Sequence, residues 1–450
     1  MGFGLNNKLV LDVFSTAAMR ARFDDTAMLQ GWLETERGLA VAQGELGIIP
    51  EEAARVIAAN CDAKLYDLAA LAGEILETGH PLVPVIRSLI RKSGEAGRFA
   101  HWGATTQDIV DTGAVLQCRE GLRLVAADIR LVLDQLLPVA RKYRDQPMAG
   151  RTHFQHASPV TFGKKVAIWI DDLTAALKRV EAVEAELTGQ FAGAVGTLAA
   201  LRGRGPETRD RMCSVLGLKS AEVPWHTTRG RFRDISNALL EYAAAAERIG
   251  IEITLLMATE LQEAGEPISD KHVGSSTMPQ KRNPHTSEFM ITGARMMRGE
   301  AAPLIAHSAH SFEREMTCWA IEWVALPQMF CLASGIGQNL IHITDGLVVS
   351  PENMERVLAL TNGQIMAESA MMRLADALGH EGAHEVMYEC ANISSREGRN
   401  LGDVLLADRR VTEHLSPEAI AAAMDPAAYL GDSGIIVDAA VAAAEKAMKR

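Results

Sequence analysis

Residues 118–136, CREGLRLVAADIRLVLDQL, contain the pattern that decides the fold. Apolar residues recur at alternating spacings of four and three, at Cys118, Leu122, Val125, Ile129, Val132 and Leu136. This spacing places the apolar side chains along one face of an α-helix. A seam of this length is typical of long helices that pack in a bundle, so the stretch predicts such a helix.

Two further stretches repeat the same alternation. The first follows Ser158 as a candidate N-cap and Pro159 as a candidate first helical residue, and the second follows the segment WHTTRGR (225–231). Their apolar positions are Phe162, Val166, Trp169, Leu173, Ala176, Val180, Val183 and Leu187 in one, and Ile235, Leu239, Tyr242, Ala246, Ile249, Ile253 and Leu256 in the other. The chain is therefore expected to contain at least three long helices.

Composition favours an all-α fold. Aromatic residues make up only 5% of the chain, whereas strands depend on aromatic and β-branched residues. Helices of about 30 residues reach about 45 Å. A small monomer cannot bury helices of that length, so an oligomer sharing the bundle is expected. We predict an N-terminal helical domain (residues 1–113), a central bundle of long helices (114–350) and a C-terminal helical domain (351–450).

Charge and cysteine content narrow the functional class. The 450 residues include 45 basic and 57 acidic side chains, a net charge of −12 that argues against a nucleic-acid binder. The six cysteines form no CxxC pair, which favours reduced thiols over disulfides or a zinc site. The sequence shows neither a signal peptide at its start nor an uninterrupted apolar run of membrane length. A cytoplasmic protein that binds no membrane is expected.

A polar loop at residues 274–284, GSSTMPQKRNP, contains the residue types expected of a carboxylate-binding site. Gly274 and the prolines constrain the backbone, while the serines, Lys281 and Asn283 supply hydrogen-bond donors and a fixed positive charge. Such a set can stabilise the charge that develops when the carbon beside a carboxylate loses a proton. The alternative is an ordinary solvated loop.

Extended to Glu288, this loop matches the pattern GSSxMPxKxNxxxxE at every defined position. With HWGATTQD (101–108) and GRTHFQHASPVTFG (150–163), it makes the chain resemble the fumarase/aspartase superfamily over nearly its whole length. The resemblance implies three helical domains and a homotetramer whose active sites each draw on three subunits. It also implies a small dicarboxylate substrate, with no metal or other cofactor.

The resemblance assigns three catalytic roles. Ser275 matches the general base that removes the proton from the carbon beside the carboxylate, helped by the positive potential around it. His153 matches the general acid, since an imidazole changes charge near neutral pH and donates a proton to a departing nitrogen or oxygen. Glu288 is expected to orient His153, as carboxylates orient catalytic histidines. Structural roles, a turn cap for Ser275 and a hydrogen-bonded histidine for His153, are the alternatives.

Further residues match substrate-binding positions. Those that hold a carboxylate in the resemblance are Thr105, Thr106, Thr152, Lys281 and Asn283. Two histidines, His80 and His101, match the adenylosuccinate lyase branch, with structural roles as the alternative. Arg229 and Arg314 lie in WHTTRGR (225–231) and FEREM (312–316), which resemble substrate-binding stretches, and ion pairing is the alternative for both.

One motif is rejected. Residues 380–384, HEGAH, fit the zinc-protease pattern HExxH, which needs both histidines on one face of a continuous helix and a third ligand. Leu378-Gly379 is typical of a helix end, so His380 is expected at a boundary and no metal is predicted.

Two branches of the superfamily remain open. PWHTTRGR (224–231) and DPAAYLG (425–431) resemble 3-carboxy-cis,cis-muconate cycloisomerases, yet that branch has tryptophan at the position of His153 and an AGNxAIP stretch at residues 78–84. Both histidines, His80 and His153, instead resemble adenylosuccinate lyase, which needs an acid for a departing amine. Adenylosuccinate itself fits poorly, because the Arg-Tyr phosphate-binding segment is missing and Trp323 stands where that branch has an arginine.

We therefore expect an adenylosuccinate-lyase-like β-elimination that releases an amine or another leaving group, and fumarate, from a succinyl-type dicarboxylate. A cycloisomerase of aromatic catabolism is the alternative. A non-catalytic structural member of the superfamily is a third possibility, against which the intact Ser275, His153 and Lys281 argue.

Overall fold

The computed structural model describes residues 8–267, 277–278 and 280–449, and 71% of it is helical. The described residues form eighteen α-helices: α1 (Lys8–Phe14), α2 (Ala17–Arg20), α3 (Asp25–Glu45), α4 (Glu51–Ala59), α5 (Leu68–Thr78), α6 (Val83–Ser93), α7 (Thr106–Lys142), α8 (Phe162–Ala185), α9 (Gly205–Leu216), α10 (Gly230–Leu256), α11 (His285–Ala306), α12 (Met316–Asp345), α13 (Pro351–Leu358), α14 (Ala367–Glu397), α15 (Leu401–Ala407), α16 (Arg409–Thr412), α17 (Pro417–Ala423) and α18 (Ser433–Met448). The predicted all-α class is confirmed.

Strands are few and short in the described part of the chain. Two-stranded pairs are formed by β1 (Pro147–Thr152) with β2 (Gln155–Thr161), β3 (Thr188–Gly189) with β4 (Lys219–Ser220), and β5 (Ala264–Gly265) with β6 (Val348–Val349). The first and third pairs are antiparallel and the second is parallel. The described residues also form six short 3₁₀ turns: Ala63–Leu65, Gly94–Phe99, Ala199–Leu201, Ala359–Thr361, Gln364–Met366 and Pro426–Ala428.

The three predicted seams are buried. Every apolar position of the first seam, from Cys118 to Leu136 on α7, is at most 1% exposed. The same holds for Phe162 to Val180 on α8 and for Ile235 to Ile253 on α10 at the positions named above. Val183, near the end of α8, is partly exposed. Burial of aliphatic side chains at this periodicity is what holds long helices together.

The predicted start of α8 is wrong. Ser158 and Pro159 lie in β2, and the helix begins only at Phe162, where the Thr161 hydroxyl accepts the Lys164 N–H at 3.1 Å. Pro159 pairs with Ala149 at an irregularity of the two-stranded ladder, a position that tolerates the missing N–H of proline. Local sequence favoured a helix start, but the hairpin formed with residues 147–152 decides the conformation.

Contacts divide the chain into two compact units. Unit 1 comprises Met1–Ile129, Ala176–Glu247 and Phe289–Asn339, and unit 2 comprises Arg130–Ala175, Arg248–Glu288 and Leu340–Arg450. The core of unit 1 includes Leu33, Ile57 and Leu89, and that of unit 2 includes Leu374 and Leu401. The division follows contacts rather than sequence order, and the predicted boundaries at residues 113 and 350 stay predictions.

Two smaller sequence features can be compared directly with the structure. All six cysteines are buried and free. Inside α14, Gly379 has non-helical angles (φ 70°, ψ 167°), so the predicted helix boundary before His380 is confirmed. Among the described residues, α12 is long and apolar enough to span a membrane by length and composition alone, but 67% of its most apolar stretch is buried within the protein, as in a core helix.

Candidate active site

Thr105 and Thr106 lie at the N-terminal end of α7, where backbone N–H groups point out of the helix. The Thr105 hydroxyl accepts a hydrogen bond from Arg314 Nη2 at 2.8 Å, and the Thr105 N–H donates to Asp108 Oδ2 at 2.9 Å. The partial positive charge of a helix N-terminus favours an anion. With the hydroxyl and the guanidinium, it makes this end of α7 suitable for a carboxylate.

Asp108 holds this region in place. Its fully buried carboxylate accepts N–H groups from Ala192 and Gly193 at 2.9 Å each, and His226 Nε2 lies 2.8 Å from Oδ1. Hydrogen bonds to a buried carboxylate are strong, because an unpaired charge in the interior is costly. Neither Asp108 nor His226 was predicted as a site residue, although Asp108 ends HWGATTQD (101–108) and His226 lies in WHTTRGR (225–231).

Arg314 and His80 belong to the same group of residues. Arg314 Nη2 also donates to the Ala194 carbonyl at 3.0 Å, and its Nε is buried without a hydrogen-bond partner among the described residues. Burial and then the charge of Arg314 lower the pKa of His80. The His80 Nδ1 accepts the Leu82 N–H at 3.3 Å, which leaves Nε2 as the protonated nitrogen. Arg314 thus offers a cation with a free donor, and His80 a neutral imidazole.

His101 is paired with a carboxylate that the sequence did not reveal. Its Nδ1 lies 2.5 Å from Glu36 Oε1, and Glu36 is 2% exposed. Burial opposes the charged imidazole, but the Glu36 charge and hydrogen bond outweigh it, so the pKa of His101 is raised. His101 also adopts a left-handed backbone conformation (φ 57°), which is uncommon for residues other than glycine. Such strain is typical of functional sites.

Arg229, which was predicted to bind substrate, lies in the interior of unit 1. The side chain is 2% exposed and forms ion pairs with Asp111 and Glu322. Its Nε and both terminal nitrogens donate to these carboxylates. Because its donors are engaged within unit 1, the position of Arg229 favours a structural role over substrate binding. Burial raises the pKa of the Glu322 carboxyl to about 7, although Arg229 opposes the shift.

Thr152 and His153 lie at the end of a β-hairpin in unit 2. Thr152 pairs with Gln155, so His153 and Phe154 form a two-residue turn, and both have positive φ (51° and 62°). Such turns favour glycine and asparagine, so a histidine and a phenylalanine here are strained. His153 is exposed, and Phe154 is 84% exposed. The hairpin therefore presents the imidazole to its surroundings.

The base of this hairpin is anchored by charge. Arg151 Nη2 lies 2.6 Å from Glu263 Oε2, and Glu263 is fully buried. Burial raises the pKa of Glu263, and Arg151 works against that rise. An exposed tip on an anchored base fixes the direction in which His153 projects.

The polar loop that begins at residue 274 and extends to Glu288 contains three predicted residues in its described part. Lys281 is exposed, and Asn283 Nδ2 lies 3.4 Å from His285 Nε2. The Glu288 carboxylate lies 3.4 Å from His285 Nδ1, so its pairing with His153 stays a prediction. Buried Glu266 accepts the N–H groups of Thr286 and Ser287 at 3.3 and 2.6 Å and thereby fixes the start of α11. Ser275 lies outside the described residues.

The predicted residues thus fall into two groups. Unit 1 brings together Thr105, His80 and Arg314, the candidate carboxylate-binding group, and unit 1 also holds Thr106, His101 and Arg229. Unit 2 holds the exposed His153 with Thr152, and the described loop residues Lys281, Asn283 and Glu288. The first group suits an anionic substrate, and His153 suits proton transfer.

Comparison with known families gives two matches. A lyase family matches residues 14–299, and the family described as adenylosuccinate lyase C-terminus matches residues 363–440.

Individual relatives cover almost the whole chain. An N-acetyl-S-(2-succino)cysteine lyase of Enterococcus italicus is 38% identical over 96% of this chain and 95% of its own. A 3-carboxy-cis,cis-muconate cycloisomerase of Pseudomonas aeruginosa is 38% identical over 97% of this chain and 96% of its own. Among solved structures, a 3-carboxy-cis,cis-muconate lactonizing enzyme from Pseudomonas putida is 36% identical with a TM-score of 0.91, covering 98% of this chain and 100% of that one.

Proposed function

Because the chain belongs to the fumarate lyase superfamily, we propose that it cleaves a succinyl-type dicarboxylate into fumarate and a nitrogen- or sulfur-linked leaving group. The observation that carries this proposal is the exposed imidazole of His153 at the tip of an anchored hairpin. The resembling cycloisomerases have tryptophan at this position. Tryptophan cannot protonate a departing group, whereas an imidazole can.

The proposed reaction is a β-elimination. Thr105 and Arg314 hold one carboxylate of the substrate, and Ser275 takes the proton from the carbon beside the other carboxylate. The electron pair left behind forms the carbon–carbon double bond as the bond to the leaving group breaks. His153 donates its proton to the departing nitrogen or sulfur. Lys281 and the loop amides stabilise the negative charge that builds up on the carboxylate during proton removal.

The names of relatives support elimination but divide over the leaving group. Two relatives, from Enterococcus italicus and Dickeya dadantii, are named N-acetyl-S-(2-succino)cysteine lyase, and one from Methanothermobacter thermautotrophicus is named adenylosuccinate lyase. The first name implies a leaving group attached through sulfur, and the second one attached through nitrogen. Both substrates contain the succinyl group, which is why we propose the shared succinyl part as the recognised unit.

A second candidate is the cycloisomerase of aromatic catabolism. The relative with that name from Pseudomonas aeruginosa is as similar as the lyase from Enterococcus italicus, at 38% identity in each case. That reaction forms or opens a lactone and has no departing amine or thiol. It uses the same carboxylate-binding group, so Thr105 and Arg314 do not separate the two candidates, and the residue at position 153 does.

We further propose that the protein is a cytoplasmic homotetramer whose subunits share active sites, with no cofactor. Large apolar side chains that are exposed on the long helices support an interface with other subunits. Leu131 on α7 is 46% exposed, Leu255 on α10 47% and Val324 on α12 47%. Apolar residues at such positions are typical of surfaces covered by another subunit.

Fumarate release tests the function. The protein is incubated with N-substituted aspartates, S-substituted mercaptosuccinates and 3-carboxymuconate, and fumarate is followed by its ultraviolet absorbance. We expect fumarate from at least one succinyl compound, and a loss of 10²-fold or more in kcat for His153→Ala, the range typical of a general acid. His414→Ala, an exposed histidine of unit 2, is the matched control and should retain full activity. Turnover of 3-carboxymuconate alone would establish the cycloisomerase instead.

A further inference from the structure

Unit 1 contains a small cavity that is lined in part by residues of the first half of α7. It has a volume of about 180 Å³ and is lined mainly by apolar side chains, among them Met28, Trp32, Pro81, Val110, Ala114 and Trp323. For comparison, a cavity of about 150 Å³ lined by aliphatic and aromatic residues holds one benzene ring. The space therefore fits a short chain or a single ring.

Two segments connect this cavity to the carboxylate-binding group. Val110 and Ala114 follow Thr106 on α7 by one and two turns, so they lie about 6 and 12 Å further along the helix axis. Pro81 directly follows His80 in the chain. A substrate whose carboxylate is held at Thr105 and Arg314 thus has the cavity within reach of its opposite end.

The charges around the cavity disfavour an anionic group. The described residues that line it include no lysine or arginine, and its two acidic side chains, Asp111 and Glu322, both pair with Arg229. Trp319 Nε1 donates to Asp111 at 2.8 Å as well. A phosphate or carboxylate placed here would lose its hydration, meet no free cation and lie close to two carboxylates, which is unfavourable.

One donor at the cavity remains without a partner. The indole Nε1 of Trp323 is buried and makes no hydrogen bond among the described residues. A buried N–H without an acceptor is costly, so a ligand that offers an uncharged oxygen gains by pairing with it. Trp323 is held edge-to-face against Trp319, with ring centroids 4.8 Å apart, which limits its freedom to turn away.

We propose that this cavity is the subsite for the leaving group, and that it selects an uncharged, largely apolar substituent of up to about one ring in size. This inference rests on the proposed function and names the class of leaving group. Burying each additional methylene should raise kcat/KM about threefold to fourfold until the cavity is full. An uncharged oxygen placed to meet Trp323 Nε1 should raise it further.

The test compares leaving groups at one succinyl core. The kcat/KM for fumarate release is measured for N-methyl, N-butyl and N-benzyl aspartate and for an aspartate whose N-alkyl chain ends in a carboxylate, together with the matching S-substituted mercaptosuccinates. We expect the N-butyl or S-butyl compound to exceed the methyl compound by at least about tenfold. The chain with a terminal carboxylate should fall below the butyl compound.

Variants locate the effect. Ala114→Leu fills the cavity and should remove the advantage of the butyl and benzyl compounds while the methyl compound is still turned over. Ala127→Leu, on the exposed face of the same helix, is the matched control and should keep the wild-type preference. Trp323→Phe removes the indole N–H together with part of the ring, so it should lower kcat/KM for ether-containing substituents more than for alkyl substituents of equal length.

The outcomes separate the two proposals. Fumarate release without preference for chain length, or a preference for the charged chain, would overturn the leaving-group subsite and leave the elimination standing. An unchanged butyl preference in Ala114→Leu would overturn it as well. If no succinyl compound releases fumarate, the proposed function fails and the subsite fails with it.

Discussion

The Glu36–His101 pair shows how one buried carboxylate sets the charge of a site residue. Because the pKa of His101 is raised, the charged pair stabilises the folded protein below pH 6.5, and this contribution is lost as the pH rises through the raised value. We expect Glu36→Gln to lower the melting temperature at pH 6 and to have a smaller effect at pH 9. Thermal unfolding at both pH values measures this, and Glu34→Gln, a partly exposed neighbour on α3, is the control.

The same pair gives a kinetic prediction only if His101 touches the substrate. In that case Glu36→Gln raises KM more strongly at pH 8 than at pH 6, because the variant imidazole loses its proton at lower pH. A uniform loss of kcat at all pH values, with no change in KM, would assign the pair to structure alone.

Asp128 on α7 is a carboxylate in an apolar setting. Burial raises its pKa to about 6 from an ordinary value of 3.8, and the hydroxyl of the neighbouring buried Tyr242 makes no hydrogen bond in the described part of the chain. Because this carboxyl pKa is raised, protonated Asp128 contributes to the stability of the folded protein below pH 3.8, and this contribution is lost as the pH rises through 6. We expect Asp128→Asn to stabilise the protein by roughly 1–3 kcal/mol at pH 7.5.

The size of that gain should depend on pH. At pH 4, close to the ordinary pKa of 3.8, the carboxyl is protonated in the folded protein and only partly ionised in the unfolded chain, so Asp128→Asn should gain much less. Chemical denaturation at the two pH values gives the comparison, and Asp134→Asn, on the exposed face of the same helix, should change little at either. An equal gain at both pH values would mean that charge burial is not the cause.

At the scale of the helices, close approach of one backbone to another depends on glycine, which has no Cβ. A Cβ added to Gly335 on α12 would lie 2.2 Å from the backbone carbonyl of Phe14, whereas one added to Gly299 on α11 would meet nothing within 4 Å. We expect Gly335→Ala to destabilise the protein by roughly 1–3 kcal/mol, because the backbone must move. Gly299→Ala should be neutral or stabilise by up to about 1 kcal/mol through helix propensity. Melting temperatures of the two variants decide this, and equal values would show that α12 adjusts without loss.

The elements differ in how far the sequence predicts them. The seams on α7, α8 and α10 follow from periodicity, because burial on one face of a helix leaves a regular pattern of apolar residues. The hairpin at residues 147–161 was missed, since its two strands stabilise each other and Ser158-Pro159 resembles a helix start when taken alone. Pairing between segments leaves no local pattern.

The site residues likewise differ in how well the sequence predicts them, because contacts between distant segments leave no local pattern. Motif similarity predicted Thr105, Arg314 and His153 as site residues. It did not identify Glu36, which lies 65 positions from His101, or the role of Asp108 in joining residues 105, 192 and 226. A buried carboxylate looks like a surface one in sequence, because only the fold shows which donors surround it. Arg229 shows the opposite: its motif resembles a substrate-binding stretch, but in the structure it pairs with the buried Asp111 and Glu322.

At the scale of the whole molecule, the exposed position of His153 bears on whether it acts in the active site of its own subunit or of another. A strained turn that presents a histidine and an 84%-exposed phenylalanine is unfavourable in an isolated chain and becomes favourable when another subunit covers it. If each site takes His153 from one subunit and Ser275 from another, two different inactive variants can complement each other.

We therefore expect mixtures of His153→Ala and Ser275→Ala chains to recover activity. Each variant alone should be nearly inactive, but random reassembly of equal amounts places both intact residues at about a quarter of the sites, so about a quarter of wild-type activity should return. Differently tagged variants are mixed, partly denatured and refolded together, and hybrids are purified through both tags before fumarate release is measured. Each variant treated in the same way with itself is the control. Hybrids that form but stay inactive would mean that both residues act within one chain, and His153 would then have to reach the substrate bound by its own subunit.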